Sequence, residues 1–236
     1  MRTKIARMAR LGGRHMTKVR DVLFVALAAF SAMLELAGNV NAEDAPPIIV
    51  TLGDSYINSH GVAPTETFAT RLKTGLNAAG HTVTIVEVGY TATSKRGLDW
   101  LEKYKEGLDL QASPANHVVL VELGQNDCGG IDLDQTRANL DQILSILAQK
   151  RIPVLVVGTA AYEYCGADYA APFSKMFSEL ADKHGDLLYA DFKEGVTGHP
   201  DLLQADNDHP NAAGDAVAVR NMLPLVETLL AQLRAR

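Results

Sequence analysis

The sequence predicts an α/β fold, a three-layer α/β/α sandwich around a five-stranded parallel sheet of the flavodoxin-like type. Short β-rich runs alternate with amphipathic stretches five times along the chain, which is the order typical of β-α-β units. The runs in the middle of the chain are mostly apolar without strict alternation, which favours strands covered on both faces. The 236 residues are 47% hydrophobic, which is enough for one sizeable core.

Five runs are candidate strands. In chain order they are PIIVTL (47–52), TVTIVEV (82–88), HVVLVEL (117–123), PVLVVG (153–158) and the weaker LLYADF (187–192). Right-handed crossovers restrict how parallel strands can be connected, and the order 2-1-3-4-5 satisfies this restriction most economically.

Helical patterns fill the intervals between the strands and the C-terminal end. They are ETFATRLKTGLNAAG (66–80), the shorter SKRGLDWLEKYKE (94–106), DQTRANLDQILSILAQK (134–150), AAPFSKMFSELADKHG (170–185) and a terminal stretch, 211–236. Pro224 is expected to kink or interrupt the last helix, because proline lacks the N–H that the helix interior uses.

Residues 1–42 do not fit this pattern and look like a secretory signal peptide. Basic residues precede an apolar run, and Val40 and Ala42 occupy the −3 and −1 positions of a cleavage site. We therefore expect a mature domain over 43–236 and a periplasmic or secreted protein. The alternative is a membrane anchor, but the run is shorter than the roughly 20 apolar residues that a span needs. Met16 is a second candidate start codon, since the leader is unusually long.

The charge of the predicted mature domain excludes several partners. Residues 1–42 hold seven of the 22 basic and two of the 28 acidic residues, so 43–236 hold 15 basic against 26 acidic, a net charge of −11. Such a surface should repel nucleic acid and anionic lipid. We expect a small-molecule substrate and no stable membrane insertion after cleavage of the signal.

Polar residues that can take part in binding or catalysis follow the predicted strands. Ligands bind at these strand ends in open α/β sheets. In chain order these groups are Gly53, Asp54 and Ser55; Gly89, Thr91 and Ser94; GQNDCGG (124–130); AAYEYCGADY (160–169); and QADNDHPNAAG (204–214). Because the carboxyl ends of parallel strands share one edge, these groups are expected to converge.

Three of these groups hold the residue types that acyl transfer needs. Ser55 can serve as a nucleophile, His209 as its base, and Asp206 as the group that fixes the tautomer of the base. The amide of Asn126 and the backbone N–H of Ser55 can donate to an oxyanion. Taken singly, GDS and GQND can be turns, and DNDHP can be a solvated turn or a metal site. Their joint occurrence at the ends of different strands favours a hydrolase.

With these residues identified, the sequence resembles the SGNH hydrolases, also called GDSL esterases, and among them the bacterial periplasmic arylesterases and acyl-CoA thioesterase/lysophospholipases. The resemblance covers nearly all of 47–233 and rests on VTLGDSY, VLVELGQND, QTRANLDQIL and ADNDHPNAAG. It implies that Ser55 is the nucleophile, His209 the base and then acid, and Asp206 its orienting carboxylate. It also implies that Ser55 and Asn126 supply two oxyanion donors, and that neither a metal nor an organic cofactor is needed.

The sequence departs from this family pattern at three positions. Relatives have a glycine whose N–H is the third oxyanion donor, and that position falls on Thr91. Either Gly89 takes its place through a local slip, or the oxyanion hole is altered and turnover is weaker. Tyr56 replaces the leucine of GDSL, and Asp208 adds an acid beside the triad. That acid is expected to make His209 hold its proton more tightly and to disfavour an anionic substrate.

The two cysteines, Cys128 and Cys165, follow the third and fourth predicted strands. Those strands are neighbours in the predicted order, so a disulfide across the rim of the active site is expected. The alternative is two free thiols too far apart to bond. The loops around them, CGGID and EYCGADY, should line an acyl pocket.

The sequence thus predicts a secreted serine ester hydrolase that acts on short or medium acyl esters, aryl esters or thioesters. Two alternatives remain open: a carbohydrate O-acetyl esterase, which uses the same triad, and a catalytically impaired binding protein of the same fold.

Overall fold

A computed structural model describes residues 45–89, 92–104 and 116–235. The strands are β1 (Ile48–Gly53), β2 (Thr84–Val88), β3 (His117–Glu122), β4 (Val154–Val157) and β5 (Leu187–Tyr189). The helices are α1 (Phe68–Ala78), α2 (Ser94–Tyr104), α3 (Leu133–Gln149), α4 (Ala167–His184) and α5 (Ala212–Arg234). The proposed leader 1–42 lies outside the described residues.

The five strands form one parallel sheet in the order β2-β1-β3-β4-β5. This confirms the predicted sandwich and strand order. β3 and β4 are buried along their whole length, as their apolar sequences predict. Burial on both faces was also expected for β2, and this expectation was wrong. Thr84 and Glu87 are exposed, because β2 lies at the edge of the sheet.

Alternate side chains of the sheet enter two separate cores. Ile49, Val118 and Leu155 belong to the core that α1 and α5 cover. Their chain neighbours point to the opposite face, where α2, α3 and α4 pack. β1 therefore has strands on both sides and helices on both faces, which fixes the position of the loop that leaves its carboxyl end.

Pro224 does not interrupt the last helix, which was one of the two outcomes expected from the sequence; α5 is continuous over 23 residues. A proline inside a helix costs about 3 kcal/mol, whereas exposing one buried aliphatic side chain costs about 1.5–3 kcal/mol. Met222, Val226 and Leu229 lie on both sides of Pro224 and are all fully buried, so continuing the helix is the more favourable option. Among the described helices, only α5 is long and apolar enough to span a membrane, and its apolar stripe packs against the sheet.

Two glycines permit the close approach of the strand ends. A Cβ atom at Gly53 would collide with the Ile57 side chain and lie 2.8 Å from the Glu122 carbonyl oxygen. Gly89 has a φ of +83°, and a Cβ atom there would collide with the Gly53 carbonyl. Both positions therefore require glycine, Gly89 for its backbone conformation as well as for space.

Two acidic side chains are buried together where β1 and β3 end. Asp54 and Glu122 are both 0% exposed, and the Asp54 backbone N–H donates to Glu122 Oε2 at 3.3 Å. Burial raises the pKa of Asp54 to about 6, against the opposing effect of its hydrogen bonds. Burial and the neighbouring Asp54 charge raise the pKa of Glu122 well above its ordinary value. Two carboxyl groups so close cannot both ionise without cost, so the pair is expected to retain a proton at mildly acidic pH.

This pair should make the stability of the protein depend on pH. Below about pH 3 both carboxyls are protonated in the folded and unfolded states, because the ordinary pKa of each is about 4. As the pH rises through about 4, the unfolded state loses protons that the folded state still holds, so the free energy of unfolding falls until the folded state releases them at higher pH. Glu122→Gln removes one of the two acids. The free energy of unfolding of the variant, relative to that of the wild type, should therefore increase by about 1–2 kcal/mol from pH 4 to pH 8.

Urea unfolding of 43–236 at both pH values measures this gain. Glu163→Gln, at an exposed position, is the matched control for loss of a glutamate charge. A difference between Glu122→Gln and the wild type that stays constant with pH would show that the pair holds no extra proton.

Candidate active site

Ser55 lies in the turn that leaves the carboxyl end of β1. The Asp54 carboxylate accepts the Tyr56 backbone N–H at 3.1 Å, and the Ser55 carbonyl accepts the His60 N–H at 2.9 Å. These bonds hold the chain in a tight turn directly after Gly53. Ser55 is only 7% exposed, so its hydroxyl group is held in a defined place rather than in bulk water.

The side chains of Ser55, His209 and Asp206 form a continuous hydrogen-bonded chain. His209 Nε2 lies 2.9 Å from Ser55 Oγ, and His209 Nδ1 lies 2.7 Å from Asp206 Oδ2. An ionised carboxylate can only accept hydrogen bonds, so Nδ1 carries the proton and Nε2 is free to accept the hydroxyl hydrogen. Burial raises the pKa of Asp206, but hydrogen bonds from the Asp208 backbone and from His209 outweigh it and hold that pKa below its ordinary value.

The loop that carries His209 is tied down at both ends. The His209 carbonyl accepts the Gln204 N–H at 2.8 Å, and the side chain of Gln204 donates to the Pro210 carbonyl at 2.9 Å. Asn211 then caps α5 by accepting the backbone N–H groups of residues 213 and 214. Because the loop ends directly in a capped helix, the imidazole is placed by the backbone and not by a mobile tail.

Asn126 lies in a short 3-10 helix, Gln125–Asp127, that follows β3. Its amide nitrogen donates to Asp54 Oδ2 at 3.1 Å and to the Ala92 carbonyl at 3.3 Å. The side chain therefore joins the loops that follow β1, β2 and β3. The preceding Gly124, with a φ of +118°, turns the chain out of the sheet at this point.

The loop after β2 is fastened to the loop after β3 by the buried carboxylate of Asp127. Asp127 Oδ1 accepts the Ser94 N–H at 2.8 Å, and Oδ2 accepts the Ser94 hydroxyl and, at 2.8 Å, the Thr136 hydroxyl. Thr91, the expected third oxyanion donor, lies outside the described residues. Gly89 is described, and its carbonyl accepts a hydrogen bond from the Asn58 side chain.

Sequence reasoning missed Asn58, Asp127 and Lys193. The Asn58 amide donates to the carbonyls of Asp54 at 2.8 Å and Gly53 at 3.2 Å as well as to Gly89, so it ties the ends of β1 and β2 together. Lys193 contacts Asp208, the acid that the sequence showed beside the triad, at 2.8 Å. Only the position of Asn58 and Asp127 just after strands signalled a role, whereas Lys193 resembled an ordinary surface lysine.

Cys128 and Cys165 form a disulfide, with their Cα atoms 5.9 Å apart. The bridge joins the loops after β3 and β4, and next to it the rings of Tyr162 and Tyr164 stack with their centroids 5.2 Å apart. A depression of about 460 Å³ beside the bridge is lined by parts of CGGID and EYCGADY, including Tyr164. Ser55 and His209 are not part of that lining.

Comparison with known proteins agrees with this geometry. The chain is 29% identical over 187 residues to "Esterase TesA" of Pseudomonas aeruginosa. The aligned region covers 77% of this chain and 89% of that protein. The crystal structure of TesA superposes with a TM-score of 0.68 at 26% identity, over 78% of this chain and 99% of that one.

AlinE4, described as an SGNH-hydrolase family esterase, superposes with a TM-score of 0.62 at 31% identity, over 79% of this chain and 97% of that one. Residues 51–217, well over half of the chain, match the GDSL-like Lipase/Acylhydrolase family. The chain therefore belongs to this family, that of the SGNH hydrolases, and is a serine carboxylic ester hydrolase.

Proposed function

We propose that the protein is an exported hydrolase of short or medium acyl esters, aryl esters or thioesters, acting through an acyl intermediate on Ser55. The observation that carries the proposal is the hydrogen-bonded chain from Ser55 Oγ through His209 to Asp206, with distances of 2.9 and 2.7 Å. Membership of an esterase family supports the reaction class, and the distances support the role proposed for each residue.

In the first half-reaction, His209 Nε2 accepts the hydroxyl proton as Ser55 Oγ forms a bond to the substrate carbonyl carbon. The π electrons of the carbonyl move to its oxygen, and Asp206 stabilises the resulting imidazolium. When the tetrahedral intermediate collapses, the bond to the leaving alkoxide or thiolate breaks, and this group takes the proton from His209. Water then repeats the sequence on the acyl-serine and releases the carboxylic acid and free Ser55.

The developing oxyanion needs donors, and we assign this role to the Ser55 backbone N–H, the Asn126 amide and the Thr91 backbone N–H. The Asn126 amide has two hydrogens, and both have acceptors, Asp54 and the Ala92 carbonyl. Its bond to the Ala92 carbonyl is the longer, at 3.3 Å. We expect the oxyanion to replace that carbonyl, while the bond to Asp54 keeps the amide oriented.

The rim around the disulfide is the proposed substrate-selecting surface. Tyr164 is 71% exposed, and its stack with Tyr162 gives the rim an aromatic surface that suits apolar acyl or aryl groups. The comparisons favour neither the carbohydrate O-acetyl esterase nor the catalytically impaired binding protein.

Export through the leader 1–42 is part of the proposal. The disulfide supports it, because such bonds persist mainly in oxidising compartments such as the periplasm or the extracellular space. The net charge of −11 over 43–236 agrees with a protein that avoids anionic lipid surfaces.

Hydrolysis of para-nitrophenyl acetate, butyrate and octanoate by 43–236 tests the reaction and ranks the acyl pocket. We expect turnover to fall at least ~10³-fold in Ser55→Ala, because the nucleophile is lost while the fold remains. A fluorophosphonate probe should label the wild type and not the variant. Equal turnover by the two proteins would refute Ser55 chemistry.

Asn126→Ala tests the oxyanion assignment. Removal of a donor that acts only in the transition state should lower kcat by about 10²–10³-fold and leave KM nearly unchanged. Steady-state kinetics with para-nitrophenyl butyrate measures both constants, and Gln135→Ala, on α3, is the amide-removing control. A variant in which KM rises while kcat is retained would show that Asn126 binds the ground state instead.

A further inference from the structure

Three side chains next to the triad form a compact polar cluster, the Tyr56–Asp208–Lys193 cluster. The Tyr56 hydroxyl donates to Asp208 Oδ1 at 2.5 Å, and Lys193 Nζ donates to the same oxygen at 2.8 Å. Lys193 Nζ also donates to the Tyr56 hydroxyl oxygen at 2.9 Å. The side chains of Lys193 and Asp208 are only 12% and 26% exposed, so solvent screens this ion pair less than a surface pair.

The cluster includes two of the three positions at which the chain departs from its family pattern, Tyr56 and Asp208. Tyr56 directly follows the nucleophile, and Asp208 directly precedes the base. Burial and the hydrogen bond to Asp208 raise the pKa of Tyr56, so the hydroxyl remains a donor. Lys193 comes from the turn after β5, where its backbone N–H is bound by Asp191 Oδ1 at 3.0 Å.

Asp208 lies close enough to the base to disturb it. Its Oδ2 is 3.9 Å from His209 Nδ1, compared with 2.7 Å for Asp206 Oδ2. An unpaired carboxylate at that distance would compete with Asp206 for the Nδ1 proton and would favour the charged imidazolium. A base that holds its proton too tightly is unavailable to the serine at neutral pH.

None of the other groups described around His209 carries a permanent positive charge. They are Asp206 on its own loop, Asp54, Ser55 and Tyr56 after β1, His60 with its ring centroid 5.4 Å away, and Tyr162 from the loop after β4, which faces Asp208 and Asp54. Among these groups and the cluster, Lys193 is the one permanently cationic side chain.

We propose that Lys193, acting through Asp208, is a positioning residue for the base: it neutralises the extra carboxylate and holds it within the cluster, so that Asp206 alone orients His209. This inference rests on the proposed function, in which His209 is the base for Ser55. It explains how the chain carries an acid beside the triad and still has an imidazole that can take the serine proton.

The pH dependence of kcat/KM for para-nitrophenyl acetate between pH 5 and pH 9 tests this role. Its acid limb reports loss of the proton from the base of the free enzyme. Lys193→Met keeps an unbranched stem but leaves the Asp208 charge uncompensated, so the limb should move up by about one pH unit. Asp208→Asn leaves the Lys193 charge uncompensated, and the limb should move down. The double variant should return the limb to the wild-type position.

The controls separate this electrostatic role from a packing role. Lys73→Met removes a charge from an exposed position on α1 and should leave the limb in place. Tyr56→Phe keeps the buried ring but removes one donor to Asp208, and should move the limb in the same direction as Lys193→Met by a smaller amount. Circular dichroism melts establish that each variant is folded before its limb is compared.

Opposite shifts in the single variants with restoration in the double variant would establish the inference. Acid limbs that stay in the wild-type position while the plateau value of kcat/KM falls would overturn the inference. The cluster would then contribute to packing only. Failure of the proposed function looks different: the wild type would show no turnover that depends on Ser55, and the inference would be lost with it.

Discussion

The close approach of three parallel strand ends is the constraint on which the site depends. β1 lies between β2 and β3, and its end has backbone neighbours so near that neither Gly53 nor Gly89 can carry a side chain. The Asn58 amide donates to the backbone carbonyls of Gly53 in β1 and of Gly89 after β2, which ties the two strand ends together. Ser55 follows two residues after Gly53, so its position depends on this junction as well as on the hydrogen bonds of its own turn.

Buried acids then connect the junction to the remaining loops. Asp54 accepts from Asn126, and Asp127 accepts from Ser94 and Thr136, so each carboxylate joins loops that follow different strands or helices. Such groups contribute little net stability, because desolvation offsets most of what their hydrogen bonds gain. Glu122 Oε1 has no hydrogen-bond partner within the described part of the chain, which adds to the cost. The loops are thus positioned at the expense of stability, a pattern typical of functional sites.

The sequence predicts the sheet well because burial on two faces requires continuous apolar runs, and strand order then follows from handed crossovers. The same topology made the acyl-transfer site predictable. The carboxyl ends of parallel strands share one edge of the sheet, so the serine, asparagine and histidine groups that follow different strands were expected to converge there. Lys193 could not be found in this way, because its partners Asp208 and Tyr56 are 15 and 137 residues away and a lysine in a polar turn gives no pattern. Pro224 does not interrupt α5, because its low helix propensity is outweighed by the packing of buried residues on both sides of it.

The backbone of the histidine loop decides which of two acids serves the base. Asp208 is adjacent to His209 in sequence, yet Asp206 makes the bond to Nδ1. Asn207 has a φ of +58°, a left-handed turn that sends the flanking side chains in different directions. Asp206 Oδ1 then accepts the backbone N–H groups of Asp208 at 3.0 Å and His209 at 3.1 Å, which leaves Oδ2 facing the imidazole. Asp208 is directed toward Tyr56 and Lys193, so the same turn that builds the triad also brings the second acid to its counterion.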